Sequence, residues 1–152
     1  SAAHAEAALN VERMAQFYVH TGMIGLDGVK MSKSLGNLVF VHKLVEAGED
    51  PSAIRLGVFS GHYRDERDWS DEVLDAAKRR LAAWREALAQ PGSMAGAEEV
   101  VAKLRAAIAN DLDTPAALTA VDEWAGADRG TDEDGAADLV RTALNSLLGV
   151  QA

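Results

Sequence analysis

Two lysines three residues apart, Lys30 and Lys33, sit in the run Lys30-Met31-Ser32-Lys33-Ser34, which continues as Leu35-Gly36-Asn37. A lysine ammonium is a compact point charge on a flexible stem, and two of them among small neighbours can close over an anion. Such charges stabilise negative charge developing on a polyphosphate during nucleotidyl transfer, and loop motion lets them engage only when substrate is bound. The same composition also suits a solvated surface loop, and spacing alone leaves both readings open. Other polar residues offer less. His20, His42 and His62 have no carboxylate at metal-ligand spacing and read as structural or surface residues. The run Tyr63-Arg64-Asp65-Glu66-Arg67-Asp68-Trp69 alternates in sign from Arg64 to Asp68 and reads as a salt-bridged turn. Asp111 and Asp113 precede a helix start and read as caps, although a carboxylate pair also invites a metal.

The elements that must hold the lysine run can be read from pattern. Ala2 to about Gln16 is Ala- and Glu-rich with helical spacing. Phe17, Tyr18 and Val19, then Met23, Ile24 and Leu26, form a β-branched and aromatic run closed by Asp27-Gly28, which predicts a strand or strand pair ending in a tight turn. Beyond it the lysine run is polar and glycine-punctuated, hence an ordered but mobile loop. From Val41 the pattern reads as helical to the end. Asp50-Pro51 opens one helix. Ser70 with Asp71 and Glu72 opens a longer one, whose apolar face runs through Leu74, Leu81 and Trp84. Thr114-Pro115 and Thr131 cap two later helices. Residues 70–150 therefore predict an antiparallel four-helix bundle filled by Trp84 and Trp124, with Gly126–Gly135 as an acidic, mobile connection. Three regions follow: 1–40 with the lysine run at 30–34, a helical connection over 41–69, and the bundle over 70–152.

Composition excludes several classes. The 152 residues are 48% hydrophobic and contain no Cys. A disulfide scaffold, a thiol nucleophile and a thiolate zinc site within this chain are therefore excluded. No apolar stretch approaches the roughly 20 residues needed to span a bilayer, and no secretory pattern is present, so a cytoplasmic protein without membrane contact is expected. The net charge is −9 and uneven: residues 91–152 carry 11 acids and 4 bases. That half cannot present the basic face that a nucleic-acid backbone requires.

The five residues from Lys30 to Ser34 spell the KMSKS signature of class I aminoacyl-tRNA synthetases. With Gly22-Met23-Ile24, Asp27-Gly28, Ile54-Arg55-Leu56 and Gly61-His62-Tyr63-Arg64, the sequence resembles the cysteinyl-tRNA synthetase branch. Within that branch, Gly22-Met23-Ile24-Gly25, Asn37-Leu38-Val39, the segment Asp50 to Leu56 and the segment Asn110 to Pro115 are most similar to the cysteine:glucosaminyl-inositol ligases of mycothiol biosynthesis. These are actinobacterial paralogues of the synthetase. The resemblance covers nearly the whole chain. It implies a mainly α fold, the C-terminal end of a synthetase-type, Rossmann-like nucleotide-binding domain with one or two short strands, followed by the helical bundle.

By resemblance, the reaction joins L-cysteine to ATP as cysteinyl-adenylate and then transfers cysteine to the amine of glucosaminyl-inositol. Lys33 is expected to stabilise the leaving pyrophosphate, with Lys30 assisting. Met31, Ser32 and Ser34 complete the ATP-binding loop, and the backbone near Ile24 and Met23 faces adenine; ordinary core packing is the other reading of Ile24. ATP enters with Mg2+. The family's HIGH-type motif and its zinc ligands are expected upstream, so the isolated chain is expected to be inactive and to need the upstream half of the same protein. If an upstream His-His-Glu-x-Glu segment ends here, Ser1 takes its last Glu position, which suits the ligase. The stop at Ala152 and the acidic bundle both favour the ligase, with no tRNA partner and a monomeric state. A cysteinyl-tRNA synthetase fragment and a non-catalytic helical interaction module are the alternatives.

Overall fold

Asp27 and Gly28 both lie in the left-handed region, with φ of 53° and 74°. Two such residues in sequence make the type I′ turn that matches the twist of a hairpin. Strand β1 (Ile24–Leu26) accordingly folds back on β2 (Val29–Lys30), with Gly25 opposite Lys30 and Leu26 opposite Val29. A third strand, β3 (Arg67–Trp69), runs parallel to β1 on its other edge, so the sheet order is β2-β1-β3. The computed structural model describes residues 2–128, 130–131 and 133–152. Ser1 and its expected place beside an upstream motif, and part of the 126–135 connection, lie outside the described residues.

Four expectations need correction. Region 41–69 is not purely helical, because it ends in β3. That strand exists through pairing with β1 some forty residues away, and its own residues Arg67-Asp68-Trp69 carry no alternating apolar signal. Helix α1 spans Ala2–Leu9 and does not reach Gln16. Asn10 takes φ 52° and the Val11 amide donates to the Glu6 carbonyl, the six-to-one bond of a left-handed helix stop. Phe17–Val19 forms no strand; no described strand pairs with it, and Phe17 is 83% exposed. Finally, Thr131 does not cap the last helix, which starts at Ala136 after Gly135 at φ 85°.

The remaining helices are α2 (Val41–Glu46), α3 (Pro51–Phe59), α4 (Asp71–Leu88), α5 (Met94–Ala109), α6 (Thr114–Gly126) and α7 (Ala136–Ala143), which runs on into a π-helical turn at Leu144–Leu148. Their starts follow local chemistry. The Asp50 carboxylate accepts the Ser52 amide, the Ser70 hydroxyl accepts that of Val73, and Asp113, one residue before Thr114, accepts that of Ala116. The bundle forms as its apolar spacing predicts, with α5 against α6 and α7, and α4 against α6. Trp84 is fully buried and its indole N–H donates to Asp122, which also holds Arg80. Trp124 is half-buried and packs against the same core. The molecule is mainly α with one small sheet, and among the described residues no helix is long and apolar enough to cross a membrane.

Candidate functional site

The lysine run is not one continuous loop. Lys30 is the last residue of β2, held by the ladder opposite Gly25, whereas Lys33 lies in the turn that follows. The turn is braced by Asn37. Its side-chain oxygen accepts the Ser32 amide at 2.9 Å and its side-chain nitrogen donates to the Lys30 carbonyl at 3.3 Å. Inside that clamp the Ser32 hydroxyl meets the Ser34 hydroxyl at 3.1 Å and accepts the Leu35 amide at 3.3 Å, while the Gly36 amide closes on the Lys33 carbonyl. Lys33 and Ser34 are therefore exposed on a hydrogen-bonded turn. Neither Lys30 nor Lys33 forms an ion pair among the described residues, so both charges remain available to an external anion.

Met23 and Lys30 line an open cleft of about 360 Å³, together with Gly25, Arg67 and Asp68. The Asp68 carboxylate accepts the Gly28 amide at 3.0 Å and so ties β3 to the hairpin turn. Ile24 and Met31 are placed differently. Their side chains line a separate apolar pocket with Val39, Leu44, Ile54 and Trp69, and both pack against the buried core. The site residues named from the sequence thus divide in three. Met23, Lys30, Lys33 and Ser34 are exposed, Ser32 is half-buried inside the Asn37 clamp, and the Ile24 and Met31 side chains are structural, leaving the backbone of Ile24 as its route to a ligand.

A second polar constellation lies at the far edge of the sheet. Asp111 accepts the Arg64 Nε at 2.6 Å and its Nη2 at 3.1 Å, and the Tyr63 hydroxyl at 2.7 Å. The Arg64 guanidinium first, and then the Tyr63 hydroxyl, hold the Asp111 carboxyl down to about 2. Asp111 is therefore no helix cap, unlike Asp113, and Arg64 belongs to this bridge instead of a local salt-bridged turn. His62 joins it through Nε2, 3.0 Å from the Asp111 carbonyl. Arg67 donates to three backbone carbonyls, of Val58, His62 and Asp65. His42 lies beside Phe40, and His20 is exposed. Sequence reading missed Asn37 and Asp111 as organisers. The polar Leu35-Gly36-Asn37 stretch signals a loop but not which residue clamps it, and the partners of Asp111 lie 47 to 49 residues away.

Among the described residues no group of three His, Cys, Asp or Glu side chains could hold a metal ion, and the chain has no Cys. The resemblance places its zinc ligands upstream of these residues, so zinc has no part in the geometry described for them.

Comparison with known proteins gives this geometry a family. The chain is 67% identical over 155 aligned residues to the L-cysteine:1D-myo-inositol 2-amino-2-deoxy-alpha-D-glucopyranoside ligase of Corynebacterium aurimucosum. It is 59% identical to ligase 2 of that name from Corynebacterium jeikeium, and 57% identical to the ligase of Tsukamurella paurometabola. Each match covers 99% of this chain but only 36–37% of the relative, so the chain spans little more than a third of their length. The sequence model of a family described as the tRNA synthetases class I (C) catalytic domain matches residues 1–79, from α1 through the hairpin, lysine turn and β3 into α4. With more than half of its residues in that match, the chain belongs to the class I (C) tRNA synthetase catalytic-domain family.

Proposed function

We propose that these 152 residues form the lysine-loop and bundle portion of an ATP-dependent ligase that joins L-cysteine to the amine of glucosaminyl-inositol. The observation that carries this reading is the pair of ammonium groups without ion-pair partners among the described residues, Lys30 at the end of β2 in the Met23–Lys30 cleft and Lys33 on the Asn37-braced turn that follows. The relatives' names supply the substrate class.

In the first step a cysteine carboxylate oxygen attacks the α-phosphorus of ATP. The bond to the bridging oxygen breaks and pyrophosphate leaves with the electron pair. Negative charge grows on the pyrophosphate, and Lys33 meets it from the turn, where a charge-assisted contact made in the transition state raises the rate more than one made equally in the ground state. Lys30 assists from the end of β2, and Ser32, Ser34 and the backbone of Met31, whose side chain is anchored in the apolar pocket, complete the loop around the phosphates. Met23 and the backbone of Ile24 face adenine. Mg2+ bound with ATP neutralises part of the phosphate charge. In the second step the amine nitrogen attacks the cysteinyl carbonyl carbon, AMP departs with the electrons of the broken acyl–oxygen bond, and the nitrogen loses a proton to leave an amide. The remainder of the relatives' length supplies the other half of the ATP site, and the functional unit is a monomer in the cytoplasm.

The experiment is a mass-spectrometric product assay on a polypeptide of the relatives' full length carrying these residues, given ATP, cysteine and both acceptors, with Lys33→Ala beside it. The expected product is the cysteine amide of glucosaminyl-inositol, strongly slowed in the variant. Cysteinyl-tRNA would move the assignment to a cysteinyl-tRNA synthetase, a reading that the acidic bundle disfavours. Absence of AMP with either acceptor would leave a non-catalytic helical module.

A further inference from the structure

The turn between α5 and α6 holds two consecutive non-glycine residues in the left-handed region, Asp111 at φ 54° and Leu112 at φ 56°. Each such residue costs free energy and persists only where its surroundings over-determine it; strain of this kind collects at functional sites. Here the surroundings are the three consecutive side chains of His62, Tyr63 and Arg64, all gathered on Asp111, with the Arg64 guanidinium also lying over the Tyr63 ring at 5.1 Å. The Thr114 hydroxyl reaches the Gly61 carbonyl at 3.5 Å beside them. One strained turn of the bundle therefore grips the whole segment that follows α3.

That segment in turn seats the start of β1. The Tyr63 carbonyl accepts the Gly22 amide at 2.8 Å, and the Arg67 amide donates to the Met23 carbonyl at 3.0 Å. The approach is so close that a Cβ on Gly22 would overlap the Asp65 carbonyl, which is why glycine stands there. Gly22 and Met23 thus take their position from residues 63–67, and residues 62–64 take theirs from Asp111.

We infer that Asp111 is a positioning residue for the nucleotide subsite: from the bundle it fixes residues 62–64 and, through Tyr63, sets Gly22 and Met23 where ATP binds. This rests on the ATP reading above for its ligand, while its mechanical half, the link from Asp111 to Gly22, stands on geometry alone. Asp111 touches no substrate and acts only through the segment it holds.

The test uses the full-length polypeptide with Asp111→Asn and Asp111→Gly. Asn tolerates the left-handed backbone, removes the charge and leaves one acceptor oxygen where the carboxylate has two; Gly removes the carboxylate and the strain together. ATP–pyrophosphate exchange is expected to show the KM for ATP raised by about tenfold to a hundredfold in Asp111→Gly, the size of effect that small misplacements produce, and less in Asp111→Asn. The KM for cysteine stays within about twofold, and hydrogen exchange at the Gly22 amide quickens in both. Unchanged KM for ATP in both variants, with only the thermal midpoint lowered, overturns the inference and leaves Asp111 a purely structural tie. If the unsubstituted enzyme shows no exchange of pyrophosphate into ATP, the functional reading fails instead. The Gly22 amide then still decides the mechanical half, where unaltered exchange in Asp111→Gly overturns it.

Discussion

Lys30 and Lys33 carry the same charge but are held differently, and their expected roles differ for that reason. Lys30 is fixed by the β2 ladder, while Lys33 depends on the turn that Asn37 braces. Replacing Lys33 with Ala is expected to lower the rate of adenylate formation by about 10²–10³-fold, the usual cost of one transition-state charge partner, with little change in ATP affinity; single-turnover adenylate formation checks it. Asn37→Ala removes both clamp hydrogen bonds and should depress the same rate with Lys33 intact. Asn37→Asp keeps the acceptor for the Ser32 amide, loses the donor to the Lys30 carbonyl, and should fall between. A rate for Asn37→Ala equal to that of the unsubstituted enzyme would show that the clamp does not position Lys33. Asp111 gives a pH signature of its own. Its carboxyl titrates at about 2 in the fold against an ordinary 3.8, because Arg64 and then Tyr63 stabilise the charged form. A folded-state value below the unfolded one means that this stabilisation is complete above pH 3.8 and disappears as pH falls through about 2. An acid titration followed at the His62 and Gly22 resonances should show the segment releasing in that window, and Asp111→Asn should lack the step.

Elements announced by their own residues are the ones the sequence made legible. The Asp27-Gly28 turn, the Asp50-Pro51 and Ser70 helix starts, and the apolar stripe of α4 each depend on residues adjacent in the chain, and each appears where local chemistry puts it. Ser70→Ala should therefore cost about 1 kcal/mol, the typical value of an N-cap, measured by urea denaturation of the 152-residue chain; a loss near zero would mean that Asp71 and Glu72 alone hold the helix start. Features that needed distant partners stayed hidden. Strand β3 is made by parallel pairing with β1, and the Arg64–Asp111 bridge joins two loops 47 residues apart. Of the candidate site, the lysine turn was legible through its motif. Core packing of Ile24 stood in the sequence as one of two readings, since a strand alternates faces and only the packed molecule shows which face is covered. The burial of the Met31 side chain beyond β2 depends on distant partners at Val39, Leu44, Ile54 and Trp69 and stayed hidden.

On the scale of the whole molecule, burial and exposure are distributed unequally. Among the described residues every buried hydrophobic core side chain lies at Ala53 or beyond, running through α3, Trp69 of β3 and the bundle. Every large hydrophobic residue that is exposed, except Leu112, lies between Leu9 and Val45. Local stability follows buried apolar contact, so the chain should open in stages instead of all at once. Native-state hydrogen exchange on the 152-residue chain is expected to find residues 10–23 exchanging fastest, β1 slower because β3 ties it to the core through Trp69, and α4, α5 and α6 slowest, opening together. Trp84→Ala sharpens the test. That side chain is fully buried between α4 and α6, and its removal leaves a cavity and deprives Asp122 of one donor. A loss of about 3–5 kcal/mol should appear equally at the slowest amides of α4, α5 and α6, because one cooperative unit shares a single opening equilibrium. Residues 10–23, which open without the bundle, should exchange as before. Unequal losses among the three helices would show that the bundle is not one unit, and slowed exchange over 10–23 would show that the exposed apolar segment draws its order from contacts other than those that hold the core.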